Sequence, residues 1–275
     1  MNLLLFPASR TFFFTQTGAS LMLEWGLTRM ALAWARIKAE LIEQFLPACC
    51  LLCGQACPHR LVCPPCEGDL PRNLESCYQC GLPGNWGTGQ ICADCLLHPP
   101  HWNHAIAALV YEYPVDHLVR RFKFHKDLAC GRLLAEELAS AVKTRMAATL
   151  PEHTDQKPDL LVPVPLHFLR RWKRAYNQAE LIALELQRQC RIPLNCKLLQ
   201  RVHPTTAQSG LDRKARLRNL RDAFRCRPLM GAHVALIDDV LTTGATLQEC
   251  SWVLKQAGAR KVSVWVAARV PASNH

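Results

Sequence analysis

The sequence predicts an α/β domain, a parallel sheet flanked by helices, standing behind a small metal-held module. Three observations carry this expectation. Apolar runs of strand length alternate with helical patterns between Ala105 and Ala267. One of those runs, Val234-Ala-Leu-Ile237, hands over to an acid pair, Asp238-Asp239, then to a Thr/Gly loop and a helix. Ahead of the domain, four C-x-x-C pairs crowd into residues 50–95. We expect three parts: an N-terminal extension over 1–46, a double metal ribbon over 47–100, and the α/β domain over 104–271.

The extension is the least regular part. Phe12-Phe13-Phe14 is apolar, but no basic cluster precedes it and no cleavage site follows. We read residues 1–21 as upstream sequence with a later start, at Met22 or Met30, rather than as a signal peptide. A helical pattern runs from about 27 to 45, through Leu32, Ile37, Leu41, Ile42 and Phe45, until Pro47 stops it.

The cysteine pairs are Cys50/Cys53, Cys63/Cys66, Cys77/Cys80 and Cys92/Cys95. Two thiolates two residues apart grip one metal from a tight turn, and two such turns complete a tetrahedral site. Eight cysteines therefore supply two Zn²⁺ sites, structural ones, because four thiolates leave no open position for chemistry. Gly54 and Gly81 follow the first and third pairs, and the second and fourth lack a glycine. This alternation suggests two consecutive ribbons, 50/53 with 63/66 and 77/80 with 92/95; interleaved pairing is the alternative. Cys49, Cys130, Cys190, Cys196, Cys226 and Cys250 read as isolated thiols, and His98, His101 and His104 as linker. Ligand spacing, not disulfide spacing, points to a reducing, cytoplasmic compartment. No run of about eighteen apolar residues exists, so membrane insertion is not expected.

Ala105 to Tyr113 reads as a strand, Val115 to Phe124 as a helix carrying Lys123, and Leu128 to about Met146 as a second helix. Residues 149–158 form a loop. Leu160-Leu-Val-Pro-Val-Pro165 is a buried strand. It hands over to a basic loop, Arg170-Arg-Trp-Lys-Arg174, and then to a helix through Leu181, Leu184 and Leu186. His203 to Phe224 is long and basic, with Arg213 and Arg216, and has the make-up of a lid. After the acid pair a helix runs to Gly258. Val262 to Ala267 then adds a strand that should lie parallel, by a right-handed connection.

The chain has a formal charge of +11. Between Leu160 and Met230 stand 15 Lys/Arg against 4 Asp/Glu, so that block alone carries a net +11. Such a block calls for an anionic partner, small phosphates or nucleic acid. The acid pair narrows the choice. Ligands of open α/β sheets sit beyond the carboxyl ends of the strands. Thr242-Thr243-Gly244-Ala245-Thr246 offers backbone N–H groups and hydroxyls to a phosphate at a helix start. Asp238 and Asp239 suit the hydroxyls of a sugar, or Mg²⁺ beside it. Phosphate at one end and diol at the other describe a ribose 5-phosphate. The basic loop with Arg171 and Arg174 is then placed for a pyrophosphate, since Arg forks two donors onto one phosphate.

The run Val234 to Leu247 resembles the phosphoribosyl pyrophosphate (PRPP) signature of type I phosphoribosyltransferases. The resemblance implies that Asp238 and Asp239 contact the ribose and that Thr242 to Thr246 wrap the 5-phosphate. From about Cys50 to Arg269 the chain resembles the ComF family, associated with DNA uptake in competent bacteria and with use of DNA as a nutrient. The double Cys ribbon, Phe122-Lys123, Val162-Pro-Val-Pro165, Arg171-x-x-Arg174-x-x-Asn177-Gln178, Thr206-x-Gln208 with Arg216 and Asn219, Phe224 and the PRPP signature carry it. One departure is Ala175-Tyr176, where the family usually has Gly-Phe. The resemblance implies a type I phosphoribosyltransferase-like, Rossmann-like domain.

Three readings follow. The first is a transferase using Mg²⁺-bound PRPP, with Asp238, Asp239, Arg171 and Arg174 as catalytic groups, Lys123, Arg213 and Arg216 on the pyrophosphate, and an unnamed acceptor. The second is a nucleic-acid handling protein whose PRPP site is regulatory or vestigial, with exposed Trp172 and Tyr176 for stacking on single strands. The third is an adaptor whose ribbons dock to DNA-uptake proteins. We expect a PRPP-binding fold that works in DNA uptake or utilisation.

Overall fold

The computed structural model describes residues 49–87, 89–148, 157–166, 176–202 and 223–272. The expected N-terminal extension, with its helical pattern, lies outside them. Two short helices, α1 (Pro64–Gly68) and α2 (Ala93–Leu97), stand in the Cys-rich region. Then come β1 (His104–Val110), α3 (Val115–Phe124), α4 (Leu128–Ala147), β2 (Leu160–Pro163) and α5 (Gln178–Cys190). The series ends with β3 (Leu199–Arg201), β4 (Phe224–Cys226), β5 (His233–Leu241), α6 (Ala245–Gln256) and β6 (Lys261–Arg269).

Four strands form one parallel sheet in the order β1-β6-β5-β2. Its strands are buried on both faces, which is why they read as apolar runs rather than alternating ones. The side-chain period of two sorts them. Ile106, Ala235, Ile237, Trp265 and Ala267 pack on one face against α3, α4 and α5. Ala107, Val234, Leu236, Val264 and Val266 pack on the other against α6. Gly131 lets α4 approach α3, because a Cβ there would stand 2.3 Å from the Phe122 ring. Caps fix two helix starts. The Asp127 carboxylate accepts from the N–H groups of Ala129 and Cys130, and the Asn177 side chain accepts from Ala179.

Both sheet edges are covered. Beside β1 runs the segment between the two Cys groups: Asn73 donates its N–H to Ala108, and Val110 donates to Pro71, each at 2.8 Å. Beside β2, Leu161 donates to Pro193 at 2.7 Å and Asn195 donates to Leu161 at 3.0 Å.

Three expectations are corrected. The strand does not stop at Ile237; β5 continues to Leu241, because β6 stays paired beside it as far as Leu241 opposite Arg269. The acid pair is therefore held by a ladder rather than by a turn. Phe224 is not loop: it opens β4, which pairs antiparallel with β3, with Val202 donating to Ala223 at 2.8 Å. His104 is not linker either. It opens β1, 3% exposed, stacks on Tyr78 and meets the Ser263 hydroxyl at 3.3 Å.

Candidate functional site

The eight paired cysteines form two consecutive groups, Cys50/53/63/66 and Cys77/80/92/95, with the four sulfurs of each within 4.8 Å of one another. Interleaved pairing is thereby excluded. A tetrahedron with arms of about 2.3 Å has edges of about 3.8 Å; Cys53 and Cys63 stand at 3.6 Å, and Cys80 and Cys92 at 3.7 Å. Backbone N–H groups also point at sulfur, Cys63 to Cys50 at 3.4 Å and Cys92 to Cys77 at 3.2 Å. In each group one thiol, Cys50 or Cys77, is drawn toward the anion, while Cys53 and Cys66 in the first and Cys80 and Cys95 in the second are pushed up. Burial pushes the Cys50 thiol up, but the N–H groups of Cys53, Cys63 and Leu52 together pull it down to about 6. A bond from Cys80 brings Cys77 down to about 4 despite burial. Burial pushes Cys95 up to about 12. Four thiols this close, with one already drawn toward the anion, make a donor set that fits Zn²⁺. Bound zinc would add to the main core that the first ribbon shares and would make up for the small apolar cluster of the second. Among the fifteen cysteines none is disulfide-bonded.

The acid pair lies at the carboxyl end of β5, on the rim of a cavity of about 350 Å³. Asp239 is 6% exposed and Asp238 is half-buried. Because β5 continues through them, the two carboxylates alternate. Asp239 shares the parity of Ile237, on the α3 side, and there Lys123 of α3 meets its Oδ1 at 2.9 Å. Asp238 accepts the Asp239 N–H at 2.9 Å. Lys123, expected at a pyrophosphate, is thus brought directly to the acid pair.

The loop after β5 divides. Thr242 and Thr246 line the cavity of the acid pair. Thr243, Gly244 and Ala245 line a second cavity of about 340 Å³ that faces the second Cys group. Gly244 is left-handed, φ +76°, and a Cβ there would come 3.1 Å from Trp102. It opens α6 without a side-chain cap, so the first-turn N–H groups are not taken by a capping residue. The acid pair, Thr242 and the first-turn Thr246 of α6 on one cavity can hold a small diol that carries an anion.

Arg171, Arg174, Arg213 and Arg216 lie outside the described residues, as do Thr206, Gln208, Asn219 and Trp172. Tyr176 is not the exposed platform expected. It stacks on Phe122, with centroids 5.6 Å apart, and its hydroxyl donates to the Phe122 carbonyl. The tyrosine's extra oxygen gives the end of the basic loop a bond to the helix of Lys123. Arg201 was missed. It ends β3, lines the acid-pair cavity and lies 5.3 Å over the Phe224 ring. Arg269 was missed too. It is the last residue of β6 and binds the carbonyls of Leu241, Thr242 and Val270. Among the described residues no helix is long and apolar enough to cross a membrane.

The chain is similar to competence protein F of Haemophilus influenzae, 34% identical over 212 residues, which span 76% of this chain and 90% of that protein. It is equally similar to DNA utilization protein YhgH of Salmonella typhi, 34% identical over 82% of this chain and 98% of that one. Competence protein ComFC of Bacillus subtilis is 26% identical over 73% of this chain and 80% of its own. No protein-family model matches. Among solved structures, the glutamine PRPP amidotransferase from B. subtilis aligns at a TM-score of 0.33 and 18% identity, over 50% of this chain and 26% of that one. The purine phosphoribosyltransferase of Pyrococcus horikoshii aligns at 0.29 and 18%, over 50% and 70%.

Proposed function

The chain belongs to the ComF family, and from that premise we propose that it is a PRPP-binding, phosphoribosyltransferase-like protein of DNA uptake or utilisation, acting in the cytoplasm. One observation carries the binding reading: the acid pair and two threonines of the Thr/Gly loop, Thr242 and Thr246, line one cavity at the carboxyl end of a parallel sheet. Asp238 and Asp239 hold the ribose hydroxyls, and their oxygens suit the Mg²⁺ that accompanies PRPP. Thr242 and Thr246, with the backbone N–H groups of the loop from Thr242 to Thr246, take the 5-phosphate. Lys123, with Arg171, Arg174, Arg213 and Arg216 from the two basic loops, takes the pyrophosphate. If the bond to pyrophosphate breaks in this site, these cations stabilise the leaving charge. We divide the chain into the extension, the double ribbon over 47–100 and the PRPP domain over 104–271. Handling of single-stranded DNA rests on the basic loops, because Tyr176 is packed on Phe122.

The test is calorimetric titration of the zinc-loaded protein with PRPP and Mg²⁺, beside ribose 5-phosphate. Asp238→Asn with Asp239→Asn should raise Kd by about a hundredfold or more, roughly 3 kcal/mol, with the fold kept. Unchanged affinity in the double variant, or no binding by the unaltered chain, would overturn the reading.

A further inference from the structure

We propose that the second four-cysteine knuckle, through Trp102 and Arg269, sets the shape of the phosphate loop, so that the loop's order depends on the second metal and not on the first. The inference deepens the phosphosugar reading and rests on it for its functional half.

Two consecutive carbonyls of the knuckle are engaged. The Trp102 indole Nε1 donates to Gln79 at 2.7 Å. Trp102 is 5% exposed, and the far edge of its ring stands against Gly244. Arg269 Nε donates to the next carbonyl, Cys80, at 3.3 Å. Its Nη1 reaches Leu241 at 3.0 Å and Thr242 at 2.7 Å. One link therefore ends at the entrance of the loop and the other at the glycine where α6 begins. A third contact lies nearby: the N–H of His101 donates to the Gln248 side chain of α6 at 3.0 Å.

The chemistry favours a brace. Buried carbonyls need donors, and only a guanidinium presents several donors in one rigid fork. Apart from the Tyr78–His104 stack and the bond from the Ala105 N–H to Tyr78, the knuckle has little to hold it besides metal. Its apolar cluster is Cys77, Cys92 and Cys95, with Cys80, Leu82, Trp86 and Ile91 around them. With the metal bound, Gln79 and Cys80 present their carbonyls in fixed positions. Without it, both links lose their far ends. The first ribbon has an arginine link as well, Arg121 Nη1 to Leu51 at 2.7 Å, but it ends on α3. Trp102 and Arg269 are positioning residues; they act on the ligand only through the loop.

The experiment compares the full zinc-loaded chain with Arg269→Lys and Trp102→Phe. Lysine keeps charge and loses the fork, and phenylalanine keeps an aromatic ring but loses the donor and the far edge that meets Gly244. Amide hydrogen exchange over 242–247 reads the brace without any ligand. Calorimetry with ribose 5-phosphate and with inorganic pyrophosphate reads its consequence. Both variants should retain two zinc ions per chain, exchange about tenfold faster across the loop, and bind ribose 5-phosphate about tenfold more weakly. Pyrophosphate affinity, carried by the basic loops, should stay unchanged. Cys80→Ser should reproduce the faster exchange, and Cys53→Ser should not. Loop exchange unchanged in both Arg269→Lys and Trp102→Phe would overturn the proposal, whatever the cysteine variants do. An unaltered chain that binds no ribose 5-phosphate but shows the exchange response would sink the phosphosugar reading and support the brace.

Discussion

The first group of four cysteines keeps Cys53 exposed and Cys63 and Cys66 half-buried; in the second, Cys77, Cys92 and Cys95 are buried and only Cys80 is half-buried. Their surroundings differ in the same sense. The first ribbon shares the main core, with Cys50, Cys57, Val62 and Leu70 in one cluster with α3 and α4. It is further tied to α4 by Arg72, which forks onto Glu137 at 3.0 and 3.1 Å and reaches the Glu67 carbonyl at 2.9 Å. The second ribbon has its own small cluster and meets the sheet through the Tyr78–His104 stack, a bond from the Ala105 N–H to Tyr78, and the Trp102 and Arg269 bonds beside the candidate site. The same ligand spacing thus serves two purposes. One module extends a hydrophobic core and supports the helix of Lys123. The other is a rigid bracket against a loop, and more of its order must come from the metal.

The largest expected effect separates the two directly. Cys77→Ser should lower zinc content from two per chain to one and weaken PRPP binding about tenfold or more. Cys53→Ser should also lower zinc to one, yet leave affinity within about twofold, since its ribbon keeps apolar contacts. Equal losses of affinity would erase the distinction. A smaller effect lies in release kinetics. A chelator with a colour readout should remove the metals in two phases, the first from the group with exposed Cys53; a single phase would mean the groups open together. Mass mapping of alkylated cysteines checks which group opens first.

The smallest effect concerns the first ribbon's polar tie. Asp127 caps α4 and holds Arg121 at 2.6 Å, and Arg121 holds the Leu51 carbonyl. Burial pushes the Asp127 carboxyl up, but the Cys130 N–H and Arg121 outweigh it, so its pKa lies below the ordinary value. A carboxylate lowered on folding contributes stability above its unfolded pKa, near 4, and that contribution is lost as pH falls through the folded value. Asp127→Ala should therefore cost about 1–2 kcal/mol at neutral pH, and less below about pH 4. Thermal melts across pH decide it, and a pH-independent cost would show that the cap's charge is irrelevant.

Much of this was legible in the residues. Four C-x-x-C pairs with glycine after alternate pairs gave the consecutive grouping, because a left-handed turn leaves a local signature; Gly54 and Gly81 do stand at φ +74° and +65°. Buried parallel strands leave apolar runs, so the sheet was readable as well. What escaped depends on partners far along the chain. Asp239 and Lys123 are 116 positions apart, and nothing local marks their contact. Polar residues ended the apolar pattern of β5, although the ladder to β6 carried the backbone on to Leu241. Three-residue strands such as β3 and β4 are too short for periodicity, and Arg201 went unnoticed with them. Arg269 closes a strand in a basic protein. Only the carbonyls gathered around it give it meaning.

The segment between the ribbons has one more consequence. By lying along β1, it keeps the strand His104–Val110 from offering its open side to another chain. That strand is almost wholly apolar, the kind of stretch that recruits copies of itself when bared. The cover is anchored at both ends by Cys groups. Zinc bound in these groups would therefore also safeguard solubility: a chain stripped of metal would unveil a sticky edge and be drawn toward aggregation before any question of binding arose.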